Sequence, residues 1–150
     1  MRPSEVYMKK RKVLAGGRFN IIHPGHIYFL QKAKALGDSL VVVIASDKTV
    51  KDAKKPLLFP AQERRAMVDV IKGVDKTVIG YDIKGEAGYV KIIRDEKPDV
   101  IALGYDQKVD VKKLKNLARQ AGVRCTIIRI KNFRGYQTKK IIKETKQGEK

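Results

Sequence analysis

The sequence predicts an α/β fold, a five-stranded parallel sheet with helices on both faces. Three observations predict it. Five short apolar runs alternate with helical patterns along 150 residues, with no linker, repeat or low-complexity segment between them. The run at residues 40–45, Leu-Val-Val-Val-Ile-Ala, is continuous and β-branched, as a strand covered on both faces should be. Breakers close the helical patterns, Gly37 after the first and Pro98 after the third. Strand and helix in strict alternation imply a parallel sheet with helical crossovers.

Residues 1–11 read as a basic N-terminal arm and 12–150 as a single domain, long enough to bury about 70% of the surface of the unfolded chain. Residues 13–15 form the first strand. The first helix covers 25–36, where Ile27, Leu30 and Ala33 recur at helical spacing. The second strand, 40–45, belongs at the centre of the sheet. Residues 46–59 read as a long polar loop holding Lys48, Lys51, Lys54, Lys55 and Pro56, and long loops in compact domains are often functional. A helix over 61–72 buries Met67, Val68 and Ile71; a strand follows at 74–79. Val90 and Ile93 face inward from a helix at 86–96, and a strand at 99–103 opens into Gly104-Tyr105-Asp106-Gln107. Val111, Leu114, Leu117 and Ala121 mark the next helix, 123–130 is the fifth strand, and a glycine-bearing loop leads to a last amphipathic helix at 138–145. The whole is Rossmann-like.

Composition narrows the partners without choosing one. Lys and Arg number 34 against 16 Asp and Glu, a net charge of +18 that attracts nucleotides, nucleic acids or acidic membranes. Cys125 stands alone, so an internal disulfide is excluded and a reducing interior is expected. The basic N-terminus lacks an apolar core of the signal-peptide kind and no stretch approaches the length of a membrane span. A soluble, cytoplasmic protein is expected.

Residues 16–30 hold both histidines, His23 and His26, where the first strand gives way to the first helix. Pro24 suits a first helical turn, and a helix start directs backbone N–H groups and partial positive charge at an anion. Gly25 lacks the Cβ that would hold a phosphate away. The pair could also be plain capping residues, or metal ligands, although no Cys or further His completes a zinc site. Right-handed crossovers bring all five strand C-termini to one edge. His23 and His26 leave from that edge after the first strand, Asp47 and the lysines after the second, Tyr105 and Asp106 after the fourth, and Arg129 after the fifth. Such convergence of polar groups points to a nucleotide site.

The stretch Phe19-Asn20-Ile21-Ile22-His23-Pro24-Gly25-His26 closely resembles the G-x-F-D-x-x-H-x-G-H signature of the cytidylyltransferase-like nucleotidyltransferases. Two positions depart: Arg18 stands where the family usually has a small residue, and Asn20 where it has an aspartate. Residues 36–38, Glu63-Arg64-Arg65, Val74-Asp75 and residues 103–107 also look like family landmarks. Residues 135–141 align with the family's G-I-S-T-T-K-I segment, with Thr138 keeping a hydroxyl while Gln137 and Lys139 replace two others. Within the family the chain most resembles archaeal FAD synthases and their neighbours, the glycerol-3-phosphate cytidylyltransferases.

The resemblance implies joining of a phosphomonoester to the α-phosphate of a nucleoside triphosphate with release of pyrophosphate. ATP with FMN is the leading pair and CTP with glycerol 3-phosphate the alternative. His23 and His26 would be the catalytic donors. Gly17, Arg18, Phe19, Asn20 and Gly25 would line the nucleotide, Gly104, Tyr105 and Asp106 would contact the nucleoside, and Arg129, Thr138 and Lys139 the phosphates. Asp47, Lys54, Lys55 and Arg64 would form the acceptor site. The resemblance further implies Mg²⁺ bound through substrate phosphates, no metal site of the protein's own, no membrane, and a homodimer. A competing class is a nucleic-acid-binding module that kept the fold and lost catalysis; the net charge and the basic residues after 107 favour it. Only Phe133 and Tyr136 could supply stacking rings in that region.

Overall fold

The computed structural model of the chain describes residues 10–83 and 85–131. Most of the basic arm, Thr138, Lys139, the segment 135–141, the two aromatics Phe133 and Tyr136, and the final helix expected at 138–145 lie outside the described residues. The elements run β1 (Lys12–Gly17), α1 (Pro24–Lys34), β2 (Ser39–Ile44), α2 (Asp47–Asp52), α3 (Ala61–Asp69), β3 (Lys76–Ile79), α4 (Ala87–Glu96), β4 (Val100–Gly104), α5 (Val111–Gln120) and β5 (Thr126–Ile130). The five strands form one parallel sheet in the order β3-β2-β1-β4-β5.

Successive side chains on a strand point to opposite faces, and here both faces are buried. Val13, Leu40, Val42, Ile44 and Val100 pack with Leu30 and Ala33 of α1 and Val68 of α3. Leu14, Val41 and Ile101 face the other way, onto Ile93 of α4 and Leu114 and Leu117 of α5. This two-sided burial is why β2 reads as an unbroken apolar run, and each of its large side chains contributes about 1.5–3 kcal/mol. Among the described residues, no helix is long and apolar enough to cross a membrane.

Two elements differ from the sequence reading. Residues 46–59 are not all loop: α2 forms because Ser46 Oγ accepts the Thr49 N–H at 3.1 Å and Lys48 pairs with Asp52 at 2.8 Å, one turn on. Val50 is its single buried residue, so hydrophobic periodicity gave no sign of it. The helix expected at 61–72 ends at Asp69; of its three expected core residues, Val68 alone is fully buried, and Arg64 takes a fully buried place beside it. β1, β2, β3, β4 and β5 otherwise stand where apolar runs placed them, with ends displaced by up to three residues as sheet pairing dictates.

The site is positioned by a change of direction in the strand order. From β1 the chain crosses to β2 and β3 on one side, then to β4 and β5 on the other. β1 pairs with β2 along all six residues, but with β4 only at Val13↔Val100 and Leu14↔Ile101. Beyond those pairs the two central strands share no ladder, which opens a crevice at the carboxyl edge, where open α/β sheets bind ligands.

Candidate active site

The turn from β1 into α1 builds one wall. Phe19 adopts a left-handed backbone, φ 54°, yet is almost fully buried. A bulky side chain in that region carries strain of order 1–3 kcal/mol, which the surrounding packing has to hold. Its ring lies 5.3 Å from that of His26, and a Cβ on Gly17 would press to 3.0 Å from its edge. A larger residue than Gly17 would make the Phe19 ring give way by a few tenths of an ångström.

The two histidines form a reciprocal cap on α1. His23 is the N-cap, and its Nδ1 accepts the Gly25 N–H at 3.1 Å; Nδ1 of His26, three residues on, accepts the His23 N–H at 3.2 Å. This is a capping box built from imidazoles. One sequence expectation changes as a result. Pro24 has no N–H, Gly25 gives its N–H to His23, and the N–H groups of His26 and Ile27 both reach the His23 carbonyl. The first turn thus has no spare N–H for a phosphate, and the helix contributes its dipole and the rings it orients.

Those rings are fixed in one tautomer. Each Nδ1 is an acceptor, so in the neutral state the proton sits on Nε2. The rings lie 3.9 Å apart between centroids, tilted by 33°. Burial lowers the His23 pKa against the opposing pull of the Asp106 carboxylate. Burial, with the neighbouring His23, brings His26 down to about 4. At neutral pH both imidazoles are uncharged, each with its proton on Nε2.

The folded-state pKa of His26 lies below the ordinary 6.5, so folding releases protons between those values and stability rises with pH there. The contribution is complete above about 6.5 and is lost as pH falls through about 4, where Nδ1–H would face the His23 N–H. The His26 ring proton should titrate by NMR with a midpoint near 4, and the melting temperature of the wild type should fall over that interval more than that of His26→Gln.

The facing wall comes from the β4–α5 loop. Gln107 bridges the gap between the central strands: its Oε1 accepts the Gly104 N–H at 2.7 Å and its Nε2 donates to the Gly16 carbonyl at 3.0 Å. Arg129 does not stand free to meet phosphates. Its two terminal nitrogens donate to the carbonyls of Gly104, Gln107 and Val109 at 2.8–2.9 Å, stapling this loop from β5. Asp106 is exposed beside His23, Tyr105 is half-buried, and a Cβ on Gly104 would come to 3.3 Å from Asp106 Oδ1.

Arg64 requires the clearest correction. The acceptor-binding role implied for it does not fit a side chain with 0% exposure. Its guanidinium donates to the carbonyls of Phe59 (2.9 Å), Arg18 and Ala45 (both 2.7 Å) and to Asp47 Oδ1 (2.8 Å). Four of five N–H donors are placed, so Arg64 ties the β1 turn, the end of β2 and the entry to α3 into one frame. Asp47 belongs to that frame as well. Pro60 cannot cap α3 with a side chain, and Asp47 Oδ1 accepts the Ala61 N–H instead, at 2.8 Å.

The other expected residues fall around this frame. Lys54 (φ 55°) and Lys55 close α2: their N–H groups bond to the carbonyls of Lys51 and Val50, the paired bonds of a Schellman turn, and their side chains are exposed. Arg18 is exposed. Asn20 is buried at 5% exposure, with its amide turned to the 56–58 backbone. The structure therefore brings His23, His26, Phe19, Gly17, Gly104 and Asp106 to one crevice, and leaves Arg64, Asp47 and Arg129 holding its frame. Sequence reasoning missed Gln107 as a bridge and Ser46 as a cap. The second had a local signal, a serine followed three residues later by Thr49; the first had none.

A cytidylyltransferase-like family model matches residues 14–147. The chain is 46% identical over 121 residues to the FAD synthase of Ferroglobus placidus, covering 81% of this chain and 76% of that one. It is 46% identical over 120 residues to the FAD synthase of Archaeoglobus profundus, covering 80% and 74%. Among solved structures, the lipopolysaccharide core biosynthesis protein of Thermoplasma volcanium superposes with a TM-score of 0.78 at 37% identity, over 83% of this chain and 99% of that one.

Proposed function

The chain belongs to the cytidylyltransferase-like family, and we infer that it is an FMN adenylyltransferase, an FAD synthase, which joins FMN to the AMP moiety of ATP and releases pyrophosphate. The reaction class is carried by one observation, the imidazole capping box that fixes two neutral Nε2–H donors beside the crevice. The choice of ATP and FMN is supported by the FAD synthases at 46% identity over most of both chains.

The chemistry matches the residues. The phosphate of FMN is ionised at neutral pH and needs no strong base, so a phosphate oxygen attacks the α-phosphorus directly. One P–O bond forms, the bond to the β-phosphate oxygen breaks, and pyrophosphate leaves with its electron pair. Orientation and charge stabilisation supply the rate. His23 and His26 donate Nε2–H to phosphate oxygens whose charge grows along this path. They are uncharged, so they leave the net charge of the site to its cations. ATP would enter as its Mg²⁺ complex, the ion held through substrate phosphates and supplying charge neutralisation there. Gly104, Tyr105 and Asp106 face the nucleoside, Thr138 and Lys139 complete the phosphate contacts, and Lys54 and Lys55 take the FMN phosphate. The enzyme works in the cytoplasm as a homodimer.

The test is pyrophosphate release with Mg²⁺, with ATP and CTP each offered FMN and glycerol 3-phosphate. Release is expected from ATP with FMN alone. Release confined to CTP with glycerol 3-phosphate would replace this assignment.

A further inference from the structure

Asn20 sits in the turn that carries the histidines, yet its side chain turns away from the crevice. Its Nδ2 donates to the Pro56 carbonyl at 2.6 Å and its Oδ1 accepts the Leu58 N–H at 3.4 Å. The segment it grips follows directly on Lys54 and Lys55, and leaves Leu58 47% and Phe59 41% exposed. Pro56 has no N–H and Leu58 is gripped through its own, so Asn20 holds both sides of Leu57 as a neighbouring strand would.

We propose that Asn20 is the positioning residue of the acceptor segment, a clasp that sets the height of Lys54 and Lys55 over the histidine turn. The required chemistry is specific to an amide. One group must donate to a carbonyl and the other accept an N–H, and an ionised carboxylate can do only the second. An aspartate at 20 would set two acceptors 2.6 Å apart at Pro56, with the carboxylate held at a position only 5% exposed. The asparagine is thus matched to the segment it holds. Arg64 fastens the far end of the same segment, through Phe59, to the same turn, through Arg18. Asn20 acts through the backbone of 56–58 and touches neither the nucleotide nor the reacting atoms.

The kinetic part of this proposal rests on FMN being the acceptor; the exchange part does not. With the full-length protein, Asn20→Ala should raise the KM for FMN about tenfold, the effect of losing both bonds to the 56–58 backbone, and leave the KM for ATP within about twofold. Asn20→Asp should shift the FMN KM at least as far. Hydrogen exchange at the Leu58 amide should quicken at least tenfold in both variants, with β2 amides unchanged. Equal shifts in both KM values, or an Asn20→Asp enzyme as good as wild type, would overturn the proposal. If neither variant folds, the wild-type protein decides: a protected Leu58 amide supports the clasp, and one exchanging at the rate of an open loop overturns it. A wild-type protein that makes no FAD would remove the acceptor assignment and leave Leu58 exchange to judge the clasp alone.

Discussion

His26→Ala should lower kcat for adenylyl transfer by about 10²–10³, the loss measured when one preorganised donor to developing charge is removed. His26 performs two tasks with two nitrogens, and substitutions separate them. Nδ1 holds the His23 N–H and thereby the start of α1; Nε2 carries the proton offered to phosphate. Glutamine can place an N–H near the Nε2 position but leaves the cap open. Asparagine keeps an acceptor near Nδ1 and falls short of the substrate. Steady-state rates should therefore order wild type, Gln, then Asn with Ala. Unfolding midpoints should place Asn near wild type and Ala lower by about 1 kcal/mol, the cost of a lost cap. Rates and stabilities that fall in the same order across the three variants would mean that His26 acts only through the helix.

Arg64→Ala should cost about 3–5 kcal/mol of stability, a large part of the 5–15 kcal/mol that holds a domain of this size. The side chain has 0% exposure and serves three carbonyls and one carboxylate drawn from four parts of the chain. Its removal takes the donor from three backbone carbonyls, each at about 1–3 kcal/mol before relaxation, while Asp47, 41% exposed, keeps the Ala61 N–H. Arg64→Lys should recover little, since a single ammonium on a narrower stem cannot reproduce the fork. Urea denaturation with both variants measures this. An unchanged midpoint with a raised KM for FMN would return Arg64 to the acceptor site.

The sequence made the sheet legible because burial on two faces removes polar alternation. Residues 40–44 could hardly be anything but a central strand, and Leu14 and Val13 divide between opposite cores as period two requires. The histidine pair was legible too, through Pro24 and the glycines around it. What remained hidden was long-range polar pairing. Arg64 reads as a cation facing a ligand because charge usually signals exposure, and nothing local reveals carbonyls arriving from Arg18 and Ala45. The same holds for Asn20 and Pro56, 36 residues apart, and for Gln107 and Gly16, 91 apart. The tautomer of the histidines required both bonds of the cap to be seen together. α2 escaped because one buried valine makes no period.

The most direct test of the adenylyl-transfer account follows the label of ATP carrying ³²P at its α-phosphate, incubated with FMN, Mg²⁺ and the purified protein. The label is expected to move into a flavin product that co-migrates with FAD, one flavin labelled for each pyrophosphate released, and His26→Ala to slow that transfer by about 10²–10³. Label that stays in ATP or appears as free AMP, with FMN unchanged, would contradict it.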